Sequence, residues 1–224
     1  SMTTRPFCCV LYASIVSSSF GSAAVAAPYV PPTLNPGDKY HLVFITNGAR
    51  DATSSNISVY NSFVQGEAAL NSTLTGTNVG VIYKAIASTT AIDASSNAPV
   101  TAPVYNFNGD KIADTFADMW DGTIDNPIAY TQFVTTVFPP DIWTGTQTSG
   151  LAFTGNELGQ ANPRTGRSDL ADGRWIDEIV SNAAFSSRFY GLSQELTVPV
   201  PEPSTLTLAI LAVVGVLLAV RQRR

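Results

Sequence analysis

Both cysteines of this 224-residue chain, Cys8 and Cys9, fall within its first ten residues. Everything after them must fold without a disulfide, a thiolate nucleophile or a Cys-held metal. There is one histidine, His41, which on its own cannot form a His-based metal cluster. Stability has to come from a core of apolar side chains. Between two unusual ends lie roughly 170 residues, enough for one domain with a core of its own.

The first end has the features of an export leader. Arg5 supplies a minimal positive region, and Phe7 to Phe20 is apolar and small-residue in character but too short to span a bilayer. Ala24-Val25-Ala26 then offers the small side chains that a signal peptidase accepts, which predicts a signal peptide over 1–26, cut after Ala26. Cutting one residue later would put Pro28 just beyond the scissile bond. Cys8 and Cys9 leave with this segment. They lie too early, without a small residue before Cys8, for lipid attachment.

The other end has three parts in a fixed order. Pro201-Glu202-Pro203 is followed by the apolar stretch Thr205 to Val220 and by the basic end 221–224 with Arg221, Arg223 and Arg224. The two prolines fix φ and disfavour helix just before them, so the triplet is expected to be extended and readable. The apolar stretch holds 16 residues. As a helix it would span about 24 Å at roughly 1.5 Å per residue, against a hydrocarbon core near 30 Å. That suits a transient transmembrane helix better than a permanent anchor. The arginines would hold its far end on the cytoplasmic side. This arrangement over 199–224 closely resembles the PEP-CTERM sorting signal of exported proteins of Gram-negative bacteria. The resemblance implies recognition and removal of the tail by an exosortase, an integral-membrane enzyme, with Pro201, Glu202 and Pro203 as the sorting motif. It also implies transient anchoring in the inner membrane, then a place at the cell surface or outside the cell.

Charge argues against some partners. The chain carries 12 Lys and Arg against 17 Asp and Glu, a formal net of −5. Without residues 1–26 and everything beyond residue 204, 8 basic residues face 17 acidic ones, a net of −9. Phosphate contacts require clustered Lys and Arg, so nucleic acid and anionic lipid are not expected as ligands of the domain.

Between the ends, Pro28 to Pro36 reads as extended, which makes 27–39 a linker and 40–198 an extracytoplasmic domain. Tyr40 to Thr46 is a short apolar run and is predicted to be a buried strand, stopped by Asn47-Gly48. Asp51 to Leu70 is the main helix candidate. Ile57, Tyr60, Val64 and Ala68 recur at spacings of three and four, and Ser54 or Ser55 would be its N-cap. Val81 to Ser88 reads as a second strand. Pro103 to Phe107 and Lys111 to Ala113 flank Asn108-Gly109 as a hairpin. Asp114 to Trp120 suggests a helical turn or two. In the turn-rich second half, Ile142 to Thr146 begins a strand, Asp172-Gly173 forms a turn before Trp175, and Phe189 to Val198 closes the sheet. Phe189, Leu192, Leu196 and Val198 are expected inward, with a break at Gly191. One helix with several short antiparallel strands makes the fold class α+β.

Four segments resemble the C-type-lectin-like fold, and within it the endostatin-like branch. They are Tyr83-Lys84-Ala85-Ile86-Ala87-Ser88, Val104 to Asp110, Ile142-Trp143-Thr144-Gly145 and the last strand ending near Val198. The resemblance implies a single C-type-lectin-like domain over roughly Tyr40 to Val198. The usual disulfides of that fold are absent. No Glu-Pro-Asn, Gln-Pro-Asp or Trp-Asn-Asp triplet is present to carry calcium-dependent sugar binding.

Candidate chemistry is sparse. His41, in a strand, reads as a satisfied structural or surface residue. Asp114, Asp118, Asp121 and Asp125 form the densest acidic group, and Asp114 and Asp118 would share a helical face. Hard oxygen ligands of this kind could hold calcium, or serve as a carboxylate pair for glycoside hydrolysis, though the spacing matches no EF-hand. Arg164, Arg167, Asp169, Asp172, Arg174 and Asp177 surround Trp175. They read as an ion-pair network over the core, with Trp175 as a possible aromatic platform for a glycan. Serines lack a Gly-x-Ser-x-Gly motif and a His partner, so a serine triad is not expected. The sequence favours a non-catalytic structural or binding domain of the envelope or of an extracellular polysaccharide layer. It needs no cofactor, and meets a signal peptidase and an exosortase on export. The alternative is a secreted carboxylate-based, glycosidase-like hydrolase.

Overall fold

The computed structural model describes residues 28–200. The expected signal peptide with Ala24 and Ala26, and the tail from Pro201 on, lie outside the described residues. In chain order the elements are β1 (Lys39–Ile45), α1 (Ile57–Ala69), α2 (Ser72–Thr75), β2 (Tyr83–Ala85), α3 (Ala94–Asn97), β3 (Val104–Asn106), β4 (Lys111–Ala113), α4 (Phe116–Met119), β5 (Asp141–Trp143), β6 (Arg164–Arg167), β7 (Ile179–Val180), β8 (Tyr190–Ser193) and β9 (Leu196–Thr197). This is an α+β architecture with two sheets. The main sheet runs β2-β8-β1-β3-β4, with β9 also paired to β1, and a smaller sheet runs β5-β6-β7.

β1 is the axis of the molecule. It pairs parallel with β3 and antiparallel with β8 and β9. Alternate side chains of a strand point to opposite faces, and here both faces are covered. Tyr40, Leu42 and Phe44 join Tyr60, Val64 and Ala68 of α1 in one core, while Val43 and Ile45 join Met119, Trp120, Trp175 and Tyr190 in a second. Burial on both sides explains why the strand reads as an unbroken apolar run rather than an alternating one.

The α1 stripe is as its spacing predicts, with Ile57, Tyr60, Val64 and Ala68 buried. The helix begins six residues later than the pattern suggests. Asp51 accepts the Thr53 N–H at 3.0 Å and Ser54 Oγ accepts the Asn56 N–H at 3.2 Å, so local side-chain turns hold 51–56 out of the helix. Asn56, not Ser54 or Ser55, is the N-cap, accepting the Ser58 N–H at 3.0 Å.

Two glycines set close approaches. Gly191 lies within β8 instead of breaking it, and a Cβ there would sit 2.6 Å from both Phe44 Cε1 and Val64 Cγ1. Its bare backbone lets α1 settle on the sheet. Gly166 in β6 presents the same bareness to Trp175, whose carbonyl oxygen would be 2.1 Å from an added Cβ. In the closing segment Phe189, Leu196 and Val198 face the α1 core, whereas Leu192 belongs to the second core.

The stretch read as a linker is partly a component of the domain. The Tyr29 N–H donates to the Leu74 carbonyl at 2.8 Å, and the Tyr40 hydroxyl donates to the Tyr29 carbonyl at 3.0 Å. Tyr29 also meets the Phe107 ring at 6.0 Å, edge to face, and Pro31 is buried. Prolines cannot donate to a sheet ladder, but the apolar residues between them have a core to pack against.

Both ends of the main sheet are bracketed. On β2, Gln65 of α1 accepts the Tyr83 N–H at 2.7 Å and donates to the Val81 carbonyl at 3.3 Å, while Asn61 accepts the Ala85 N–H at 2.9 Å. On β4, the Asp125 N–H and the Asn126 amide donate to the carbonyls of Ile112 and Lys111 at 2.9 Å each. Backbone groups that an edge strand would leave open are thereby satisfied. Among the described residues no helix is long and apolar enough to cross a membrane.

Candidate functional site

Titratable side chains gather in three places, and a separate cleft opens beside β7. The first place surrounds His41, which is 1% exposed and lies where β1, β8 and the segment 98–101 meet, beside a cavity of about 250 Å³ that Lys84 and Glu195 also line. His41 Nε2 accepts the Thr101 N–H at 3.0 Å, so the ring proton sits on Nδ1, which donates to the Ser193 carbonyl at 2.8 Å. The Thr101 hydroxyl donates to Glu195 Oε2 at 2.8 Å, and Lys39 pairs with Glu195 at 2.6 Å. Burial is the main cause that lowers the His41 pKa. Hydrogen bonds from Lys39 and Thr101 lower that of Glu195. Neither imidazole nitrogen has a free lone pair to accept a substrate proton, and the Glu195 carboxylate is a weakened base. The set works as a bracket tying β1, β8 and the 98–101 segment together. Lys39, Thr101 and Glu195 escaped the sequence reading because they lie far from His41 or each other along the chain and share no local pattern.

The second place is the acidic group. Asp114, Asp118 and Asp125 bring carboxylate oxygens within 4.8 Å of one another. Asp121 does not join them; it accepts the Thr123 N–H and hydroxyl, each at 3.0 Å, in the turn after α4. Asp118 Oδ2 accepts the Asp114 N–H at 2.6 Å. The ammonium of Lys111 lies 2.7 Å from Asp114 and 3.2 Å from Asp125, and hydrogen bonds from these two carboxylates raise its pKa. The group thus holds a lysine ammonium between two of the carboxylates that the sequence offers as calcium ligands.

The charged loop requires a correction. The ion pairs predicted there are made, between Arg167 and Asp169 at 2.6 Å, between Arg174 and Asp172 at 2.7 Å, and between Arg164 and Asp177. Trp175, however, is fully buried and offers no platform to a glycan. Asp172 Oδ1 accepts the Arg174 N–H at 3.1 Å at the start of a tight 3₁₀ turn over Gly173–Trp175. The turn sends Arg174 outward and Trp175 inward, onto Trp120 and Tyr190, with ring centroids 5.8 Å away in each case. The Tyr190 hydroxyl closes the contact by donating to the Trp175 carbonyl at 3.0 Å.

Trp143, on the strand that the sequence places from Ile142, is buried as well, 1% exposed in the α1 core. One edge of it floors the cleft of about 180 Å³ beside β7.

The described chain ends in a firmly held strand. Beyond β9, the Val198 N–H donates to the Asp38 carbonyl at 2.9 Å, and its carbonyl accepts the Gly37 N–H at 3.0 Å. The next residue, Pro199, opens the segment 199–224 that matches the PEP-CTERM protein-sorting motif. No curated protein matches the chain. The motif marks an exported protein, targeted to an exosortase and anchored in the membrane before cleavage.

Proposed function

We propose that this is a non-catalytic domain delivered to the cell surface or the extracellular polysaccharide layer, where it acts as structural or binding material. The observation that carries this reading is the sorting motif at 199–224, which abuts the folded domain directly. The engaged state of His41 and Glu195 supports a structural rather than a catalytic use of this buried histidine. Within this proposal the domain is of the C-type-lectin-like type, supported by the pairing of first and last strands and by Trp143-Thr144-Gly145 at the end of β5. Pro201, Glu202 and Pro203 are the residues the exosortase reads. Replacing Glu202 by Ala is expected to leave full-length protein in the inner membrane. Intact-mass measurement of membrane and extracellular fractions checks this, and normal tail loss in the variant refutes the role of the triplet.

A further inference from the structure

The cleft beside β7 combines polar groups with an apolar rim. Asp141 and Trp143 alternate with Ile142 along β5, so both face the same side, and both line the cleft. Ser181 and Ser186 line it as well. The Asp141 carboxylate and the hydroxyls of Ser181 and Ser186 make no hydrogen bond or ion pair within the described residues, so three polar groups stand ready for a ligand. The rim is apolar and bare to solvent: Phe185 is 65% and Ile179 53% exposed. Phe138, beside the cleft residue Pro139, is 90% exposed, the highest value among the exposed large apolar side chains of the described residues. No Lys, Arg or His lines the cleft.

We propose that this cleft is a binding subsite for a single ring of a neutral polysaccharide, with Phe185 packing on the sugar's C–H face and Asp141, Ser181 and Ser186 bonding its hydroxyls. A sugar ring combines one apolar face with a girdle of hydroxyls, and the cleft sets a phenyl ring against a carboxylate and two free hydroxyl groups. The lone carboxylate and the acidic domain disfavour an anionic polymer, and the absence of a lining cation gives such a polymer no partner. A cleft of about 180 Å³ is smaller than the roughly 300–1,000 Å³ pockets that enclose free small ligands. It suits one unit of a longer chain that continues over the surface. A single contact of this size is weak, and many displayed copies would raise the avidity for one polymer.

The inference rests on the extracellular binding role proposed above, and it is tested with the exported, processed protein. Affinity electrophoresis in gels containing dextran, galactomannan or xyloglucan is compared with gels containing alginate. Retardation is expected in at least one neutral polymer and not in alginate. Phe185→Ala and Asp141→Ala are each expected to weaken it about tenfold while leaving the melting temperature unchanged. Undiminished retardation of both variants would overturn the cleft assignment but leave the binding role standing. Failure of all three neutral polymers to retard the wild type would overturn the inference, while the export role is judged separately by the fate of Glu202→Ala. A wild-type dimer that Phe185→Ala dissociates, seen by sedimentation, would assign the apolar rim to a second copy of the chain and also overturn it.

Discussion

Trp175→Ala gives the sharpest stability test, because the local sequence suggests an exposed side chain and the fold makes it a core one. The residue is 0% exposed. Truncating a buried Trp to Ala typically costs about 3–5 kcal/mol. Two tilted aromatic neighbours at 5.8 Å add about 0.5–1.5 kcal/mol each. Against that, the Trp175 indole N–H is buried without a partner, and removing it recovers about 1–3 kcal/mol of desolvation. These two corrections nearly cancel, so a net loss of about 3–5 kcal/mol remains, from a total of only about 5–15. For a domain of this size that is a fall of roughly 6–20 °C in melting temperature. Chemical denaturation of the processed protein, with the m-value checked for constancy, measures it directly. Trp143→Ala run alongside should cost about the same, since that side chain is 1% exposed. Trp175→Phe should cost much less, because it removes the unpaired N–H and keeps most of the ring. A Trp175→Ala loss under about 1 kcal/mol would refute the reasoning.

Three other outcomes follow from the packing and the charges. Gly191→Ala should destabilise by about 1–3 kcal/mol, read as a lower denaturation midpoint, since its Cβ would press on Phe44 and Val64. Stability should be flat from pH 8 to 7 and fall below about 6.5. There the unfolded chain binds a proton at its one histidine while folded His41, whose pKa is lowered by burial, refuses it. The loss levels off once pH passes the folded value. The lowered carboxyl pKa values of Asp51, Asp169, Asp172 and Glu195 add a further loss only in the acid range, below about pH 4.5. Denaturation series of wild type and His41→Gln separate the two, the variant keeping the acid loss and losing the near-neutral slope. Calcium or EDTA should move the melting temperature by less than about 2 °C, because the Lys111 ammonium already sits between Asp114 and Asp125 and an ion would have to displace it. A rise of several degrees in millimolar calcium, seen by scanning calorimetry, would show that the ion displaces the lysine.

The parts of the fold set by local periodicity were legible in the sequence. The apolar run at Tyr40–Thr46, the stripe Ile57–Tyr60–Val64–Ala68 and the hairpin around Asn108-Gly109 each carry their signal within a few residues. The position of Trp175 did not, because its six charged neighbours describe the outside of a loop while one 3₁₀ turn decides which way the indole faces. The start of α1 was misplaced for a related reason. Asp51, Ser54 and Asn56 are all good capping residues, and only the hydrogen bonds actually formed choose among them. The bracket around His41 and the cleft beside β7 depend on residues far apart in the chain, Thr101 and Glu195 in the one, Asp141 and Phe185 in the other. No periodicity links such pairs, so neither could be read in advance.

The amide bracket on β2 and its counterpart on β4 bear on how densely copies of such a domain can be crowded together. Proteins that crowd together at a surface tend to fuse where a sheet offers open backbone to its neighbour, and the result is a fibre that no longer exposes its clefts. Here Asn61 and Gln65 take the places a neighbouring strand would fill on one side, and Asp125 and Asn126 do so on the other. Copies can therefore be crowded together and remain separate particles. Loss of the Asn61 and Gln65 amides would open the β2 edge to strand pairing between copies.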